Sequence, residues 1–280
     1  MHHDRIFTNG IHLHYVTQGE GPLMLFLHGF PEFWYSWRKQ IPEFAQDHKV
    51  VAPDLRGYND SDKPTELAAY AMSQLVADVK GIIEGLGYDR CILVGHDWGG
   101  AIAWNFAYAH PKMVEKLIVL NLPHPAKFAQ GLRTPQQLLR SSYIFFFQIP
   151  GLPEALIQLG DYQAIASAFS AMSVNKNAFS SEDIEAYKDA FAKRGTLTSA
   201  LNYYRNAFRQ GLTREDWRTL EVPTLMIWGE DDTALGKELT YGTDQYVQDF
   251  RIKYIPNCGH WVQQEKPQLV NQYIREFIDG

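Results

Sequence analysis

The chain has 280 residues, 45% of them hydrophobic and 14% aromatic, which suits a globular protein with one large domain and room for an insertion. Its formal net charge of −6, with no cluster of Lys and Arg, excludes the basic stripe that a nucleic-acid partner requires. Two cysteines, Cys91 and Cys258, are too few for a disulfide framework and predict a reducing, cytoplasmic setting.

The N-terminal MHHDRIFTNG has no long apolar core and no cleavage site, so no signal peptide is expected. RIFTNG and IHLHYVTQG predict an antiparallel hairpin at a sheet edge, turning at Asn9-Gly10. The runs LMLFL (23–27), KVVAP (49–53), CILVG (91–95), LIVLN (117–121), TLMIW (224–228) and RIKYI (251–255) follow. They are continuous rather than alternating, as in parallel strands covered on both faces. In SQLVADVKGIIEGLG (73–87), Leu75, Val76, Val79, Ile82, Ile83 and Leu86 share a helical face, and Gly87 marks the stop.

Between Pro125 and Trp217 the strand runs cease and the pattern turns helical, with Ser180 and Asp183 placed as a capping box. The strongest apolar cluster, YIFFFQIPG (143–151), is too short to span a bilayer. The reading is an α/β fold: a mostly parallel, doubly wound sheet with an inserted helical cap. Residues 1–124 and 218–280 form the core and 125–217 the cap, which overhangs the crevice where such sheets bind ligands.

Four short motifs carry the chemistry. Gly95-His96-Asp97-Trp98-Gly99 lies between a strand and a helix, the setting of a nucleophile elbow, with Asp97 where a serine is usual. Taken alone, Asp97 also reads as a helix N-cap. The helix N-terminus is expected to keep its carboxylate ionised. His260, in NCGHWVQQEKP, follows the last strand and is placed to serve as base; Asp232, in WGEDDTALG, is placed to hold its tautomer, with Asp231 as rival. His28-Gly29-Phe30-Pro31 follows the LMLFL strand and predicts an oxyanion hole from the N–H groups of Phe30 and Trp98, with Phe30–Pro31 a candidate cis bond.

With these residues in view, HGFPEFWYSW, GHDWGGAIAW, the WGEDD loop and CGHWVQQEKP together resemble the soluble epoxide hydrolases of the α/β-hydrolase superfamily, over nearly the whole chain. The resemblance implies two cap tyrosines that assist ring opening: Tyr143, five places before the Gln of FQIPG, and Tyr204 of LNYYRN. Tyr203 fills a place where the family usually has Trp. The implied partners are a small lipophilic epoxide and water, with a vicinal diol as product. No cofactor or metal is expected, and the ten histidines form no HExxH spacing. The chain is expected to be a monomer or homodimer without a membrane span.

Aspartate suits this chemistry. A serine attacking an epoxide carbon leaves an ether, whereas a carboxylate leaves an ester that activated water can cleave. The opening ring develops an alkoxide, for which a phenol is a fitting proton donor. A haloalkane dehalogenase shares the Asp nucleophile and is the alternative. It usually has Asn after His-Gly, where this chain has Phe30. A fluoroacetate dehalogenase carries Arg after the nucleophile and again a turn later; here Trp98 and Ala101–Ile102 occupy that region, and Asn121 offers no alternative acid. A non-catalytic small-molecule-binding relative is the alternative of another class. Candidate pocket-wall residues are His28, Phe30, Pro31, Trp34, Trp98, Phe145, Phe146, Phe147 and Trp261.

Overall fold

The computed structural model describes residues 1–210 and 217–280. Eight strands form one sheet: β1 (His2–Thr8), β2 (Ile11–Gln18), β3 (Leu23–Leu27), β4 (Lys49–Pro53), β5 (Cys91–His96), β6 (Val114–Leu120), β7 (Thr224–Gly229) and β8 (Phe250–Ile255). Their order is β1-β2-β4-β3-β5-β6-β7-β8. β1 and β2 are antiparallel to their neighbours, and β3 to β8 run parallel. The hairpin turns where expected, because Asn9 (φ 48°) and Gly10 (φ 77°) both adopt the left-handed conformation that a tight two-residue turn requires.

The continuous apolar runs follow from burial on both faces. Leu25, Leu27 and Leu93 point into one core, while Met24, Phe26, Ile92 and Val94 point into the other. The core helices are α1 (Ile41–Phe44), α2 (Met72–Gly85) and α3 (Trp98–Ala109). The face predicted for α2 is the one that packs: Leu75, Val76, Val79, Ile82 and Ile83 are buried.

Between β6 and β7 the described chain is helical: α4 (Pro125–Gly131), α5 (Pro135–Arg140), α6 (Tyr143–Phe146), α7 (Leu152–Met172, interrupted at 159–162), α8 (Ser181–Ala192) and α9 (Thr196–Gln210). Residues 211–216 of the expected cap lie outside the described residues. The capping box forms at the start of α8: Asp183 N–H donates to Ser180 Oγ, and Ser180 N–H donates to Asp183 Oδ2. The chain ends in α10 (Val262–Glu265) and α11 (Pro267–Ile278). Polar contacts seat the helical insertion on the core. Tyr35 donates to Asp183 Oδ1 (3.0 Å), and Glu265 accepts the N–H groups of Val174 and Asn175 (2.8 Å each).

Candidate active site

β5 delivers Asp97 on a sharp turn into α3. Its backbone sits at φ 48°, ψ −121°, a conformation sparsely populated by non-glycine residues. Three glycines give the turn its space. A Cβ on Gly95 would meet the Gly99 carbonyl at 2.4 Å, one on Gly99 the Leu27 carbonyl at 2.1 Å, and one on Gly29 the Asp97 Cβ at 2.4 Å. The loop after β3 therefore lies against the Asp97 side chain. Phe30 N–H donates to Asp97 Oδ1 at 2.8 Å. The Phe30–Pro31 peptide is cis.

The other carboxylate oxygen, Oδ2, faces His260 Nε2 at 3.8 Å, within ion-pair range but too long for a hydrogen bond. On the far side of the ring, His260 Nδ1–H donates to Asp232 Oδ2 at 2.7 Å. Asp232 Oδ1 accepts the N–H groups of Ala234 (2.8 Å) and Leu235 (3.0 Å), so the loop after β7 grips one oxygen and leaves the other for the ring. Asp231 makes no contact with His260; its backbone N–H binds the Cys258 carbonyl.

Electrostatics follow from burial. Withdrawal from water raises the Asp97 carboxyl above its ordinary range, opposed by His260, His96 and the N–H groups of Phe30 and Trp98. Desolvation thus outweighs these opposing groups in setting the direction of the shift. Burial pulls His260 down, but the charge and hydrogen bond of Asp232, with Asp97 and Glu32 behind them, push it up to about 9. Burial raises Asp232, and the charge and hydrogen bond of His260 with the Asn121 amide more than reverse this, leaving it lowered.

Above the carboxylate is a cavity of about 340 Å³, lined by Asp97, Trp98, Tyr143 and Tyr204 and walled by side chains such as Leu75, Leu122, Phe128 and Trp217. The rings of Tyr143 and Tyr204 are 5.8 Å apart, and Tyr204 stands edge-on to Trp98 at 5.1 Å. Burial, then neighbouring groups that include Asp97, raises both phenols above their ordinary value, so each remains a proton donor at neutral pH.

Six residues expected at the substrate lie away from this lining, because chain direction sends them elsewhere. His28 is fully buried beneath the loop, where Nε2 accepts the Leu55 N–H and Nδ1 donates to the Gly29 carbonyl. Pro31 is buried behind Phe30. Trp34 packs edge-on against His3 at 5.2 Å. Phe145 faces outward, 48% exposed, and Phe146 packs beside Phe147. Trp261 is fully buried against the His260 and Phe169 rings. Phe30 and Phe147 are likewise absent from the lining but stand next to it: Phe30 is 5.4 Å and Phe147 5.1 Å from the Tyr204 ring.

Two features went unread in the sequence. Asn121, buried after β6 at φ 40°, accepts the Gly229 N–H and donates to Asp232 Oδ2 at 2.7 Å. In the sequence Asn121 shows only as the lack of an alternative acid, because neither its positive φ nor its hydrogen bonds are visible in residue type. Glu32, in HGFPE, is fully buried and accepts from His96 Nδ1–H (2.7 Å), Gly29 N–H and Gln263. His96 Nε2–H donates to the His260 carbonyl at 2.9 Å. The His96 ring is thus held between the Glu32 carboxylate and a backbone carbonyl. Burial opposes ionisation of Glu32, yet the charge and hydrogen bond of His96 hold it down at about 2.

Elsewhere, His14, Asp54 and Asp60 place potential ligand atoms within 4.8 Å of one another. Asp54 there is a hydrogen-bond hub, accepting from Trp34 N–H, Asn59 and His14.

Comparison with known proteins identifies the family. The family model described as the alpha/beta hydrolase fold matches residues 22–267. Epoxide hydrolase 4 of Mus musculus is 44% identical over 98% of this chain and 78% of its own. Epoxide hydrolase 3 of Xenopus tropicalis is 46% identical over 98% and 76%. The crystal structure of an epoxide hydrolase from Bacillus megaterium in complex with an inhibitor superposes with a TM-score of 0.93 at 39% identity, covering 99% of this chain and 100% of that one. The elbow, its partners and these relatives together place the chain in the alpha/beta hydrolase fold family, among its epoxide hydrolases.

Proposed function

We propose that this enzyme hydrolyses a lipophilic epoxide to a vicinal diol through a covalent ester on Asp97. The observation that carries the reading is the two-sided placement of one carboxylate: Oδ1 bound by the Phe30 N–H, Oδ2 turned toward His260 under a cavity bearing two phenols. Oδ2 attacks an epoxide carbon, the C–O bond breaks, and the alkoxide takes a proton from Tyr143 or Tyr204, which is restored from solvent. Residues 125–217 act as the cap that carries these phenols.

Ester formation removes the negative charge of Asp97, one of the groups that hold His260 high. The imidazole then releases its proton and becomes a base. It takes a proton from water as the oxygen attacks the Asp97 carbonyl carbon. The tetrahedral oxyanion develops on Oδ1, between the Phe30 and Trp98 N–H groups. Collapse expels the diol oxygen, which takes the proton back from His260. Asp232 keeps the ring in register throughout.

The test is a single turnover in heavy-oxygen water, with mass analysis of the peptide holding residue 97. Label enters Asp97 if water attacks the carboxyl carbon, and its absence rejects the ester route. In His260→Gln the ester should persist as a mass increase equal to the substrate. Halide release from a haloalkane without diol from an epoxide would instead favour the dehalogenase reading.

A further inference from the structure

Among the described residues, eight of the twelve large hydrophobic side chains that stand exposed fall between 138 and 159 or at Phe208. Leu139 is the extreme, at 76%. They lie on and between α5, α6 and α7 and near the end of α9. α6 begins three residues beyond α5, and Phe145 on α6 meets Phe208 on α9 edge to face at 5.7 Å. Arg205 of α9 donates to the carbonyls of Phe147 and Ile149 and pairs with Glu154 at the start of α7, which brings Leu152 and Leu156 alongside. Phe208 is 47% exposed and also lines the cavity, so this group reaches the rim of the site. Exposed apolar side chains concentrated in this way mark an interaction site.

Charge identifies the partner. Residues 125–160 and 196–210 contain Lys127, Arg133, Arg140, Arg205 and Arg209 against the single acid Glu154, in a chain of net charge −6. Glu154 is taken up by Arg205, and Arg140 pairs with Glu238 across the rim. Arg133 and Arg209 hold no ion pair among the described residues. In a twofold dimer the same patch meets itself, so a second copy would set these cations against one another. An anionic lipid surface accepts both the apolar side chains and the basic rim. No described helix is long and apolar enough to cross a membrane, so the contact is peripheral.

We propose that this cap face docks the protein on an anionic membrane surface and holds the cavity rim at the lipid interface. The test mixes the full chain with sedimenting vesicles of phosphatidylcholine alone or of equal parts phosphatidylcholine and phosphatidylglycerol. Co-sedimentation with the anionic vesicles, weakened by salt, is expected. Leu139→Gln with Leu156→Gln should reduce it about tenfold or more, as should Arg133→Glu with Arg209→Glu, because each pair removes one of two cooperating signals. All four positions are surface sites outside the reaction centre, and unchanged thermal unfolding shows that a variant is folded. Failure to sediment with either vesicle overturns the proposal. So does a dimer in sedimentation velocity that the leucine substitutions dissolve, if vesicles leave the protein in solution. Vesicle binding does not depend on the reaction proposed above, so either reading can fail alone.

Discussion

The charge state of one imidazole governs both halves of the proposed cycle. In the free enzyme His260 lies between Asp232 and Asp97, which hold it up at about 9. Because this value is raised above that of the unfolded chain, its stabilising contribution is complete below about 6.5 and is lost as pH climbs toward 9. The ester lacks one of those anions, so the pH limb of the hydrolytic step should fall below 9. Rapid-quench measurement of ester breakdown across pH 5–10 checks this, and a limb still at 9 would argue that Asp97 keeps its charge. Asn121 shapes the same titration from behind, through its bond to the Asp232 oxygen that His260 uses. Asn121→Ala should slow ester breakdown by about 10–100-fold, since a hydrogen bond to a charged group contributes roughly 1.5–3 kcal/mol. Ester formation should be nearly unaffected, which single-turnover kinetics separates from misfolding. Asp97, His260 and Asp232, which the structure brings together, are legible as candidates because each stands at a fixed step from a strand end. Trp34, Phe145 and Trp261 were misplaced because residue type does not say which way a side chain points.

At the scale of elements, the elbow works only because α3 sits directly on β3. Gly99 marks the contact: any Cβ there would overlap the Leu27 backbone, which cannot swing away as a flexible side chain could. Gly99→Ala should destabilise the protein by about 2–3 kcal/mol and displace Asp97, since overpacking against rigid backbone is relieved only by moving the helix. Urea unfolding measures the first effect and single-turnover alkylation the second. A stable variant with full activity would show that the helix slides without consequence. Strands were the most readable elements, since burial on both faces leaves an unbroken apolar run such as LMLFL. α8 was readable from its cap, because Ser180 and Asp183 satisfy each other's backbone donors. The subdivision of the cap was less so: α4, α5 and α6 are short, between four and seven residues, and too brief to show a helical period.

Across the whole molecule, the sequence before the cap and the sequence after it must be joined at the site, and Glu32 does this. It sits on the loop after β3, binds His96 of β5 and Gln263 of α10, and through His96 reaches the backbone of His260. Its folded value near 2 is depressed from an ordinary 4.5, so the stability it adds is present above about 4.5 and is lost as pH falls toward 2. Glu32→Gln removes the buried carboxylate that His96, the Gly29 N–H and Gln263 share. That should cost about 3 kcal/mol at pH 7, as breaking one side of a buried pair does. The gap between native and variant stability should hold steady from pH 7 to about 5, then narrow toward pH 2, where acid protonates Glu32 in the unfolded chain but not yet in the native one. Denaturant titrations at a series of pH values would show this convergence. A gap independent of pH down to 3 would mean that the glutamate is held for its shape, and that the two halves of the core are joined by packing alone.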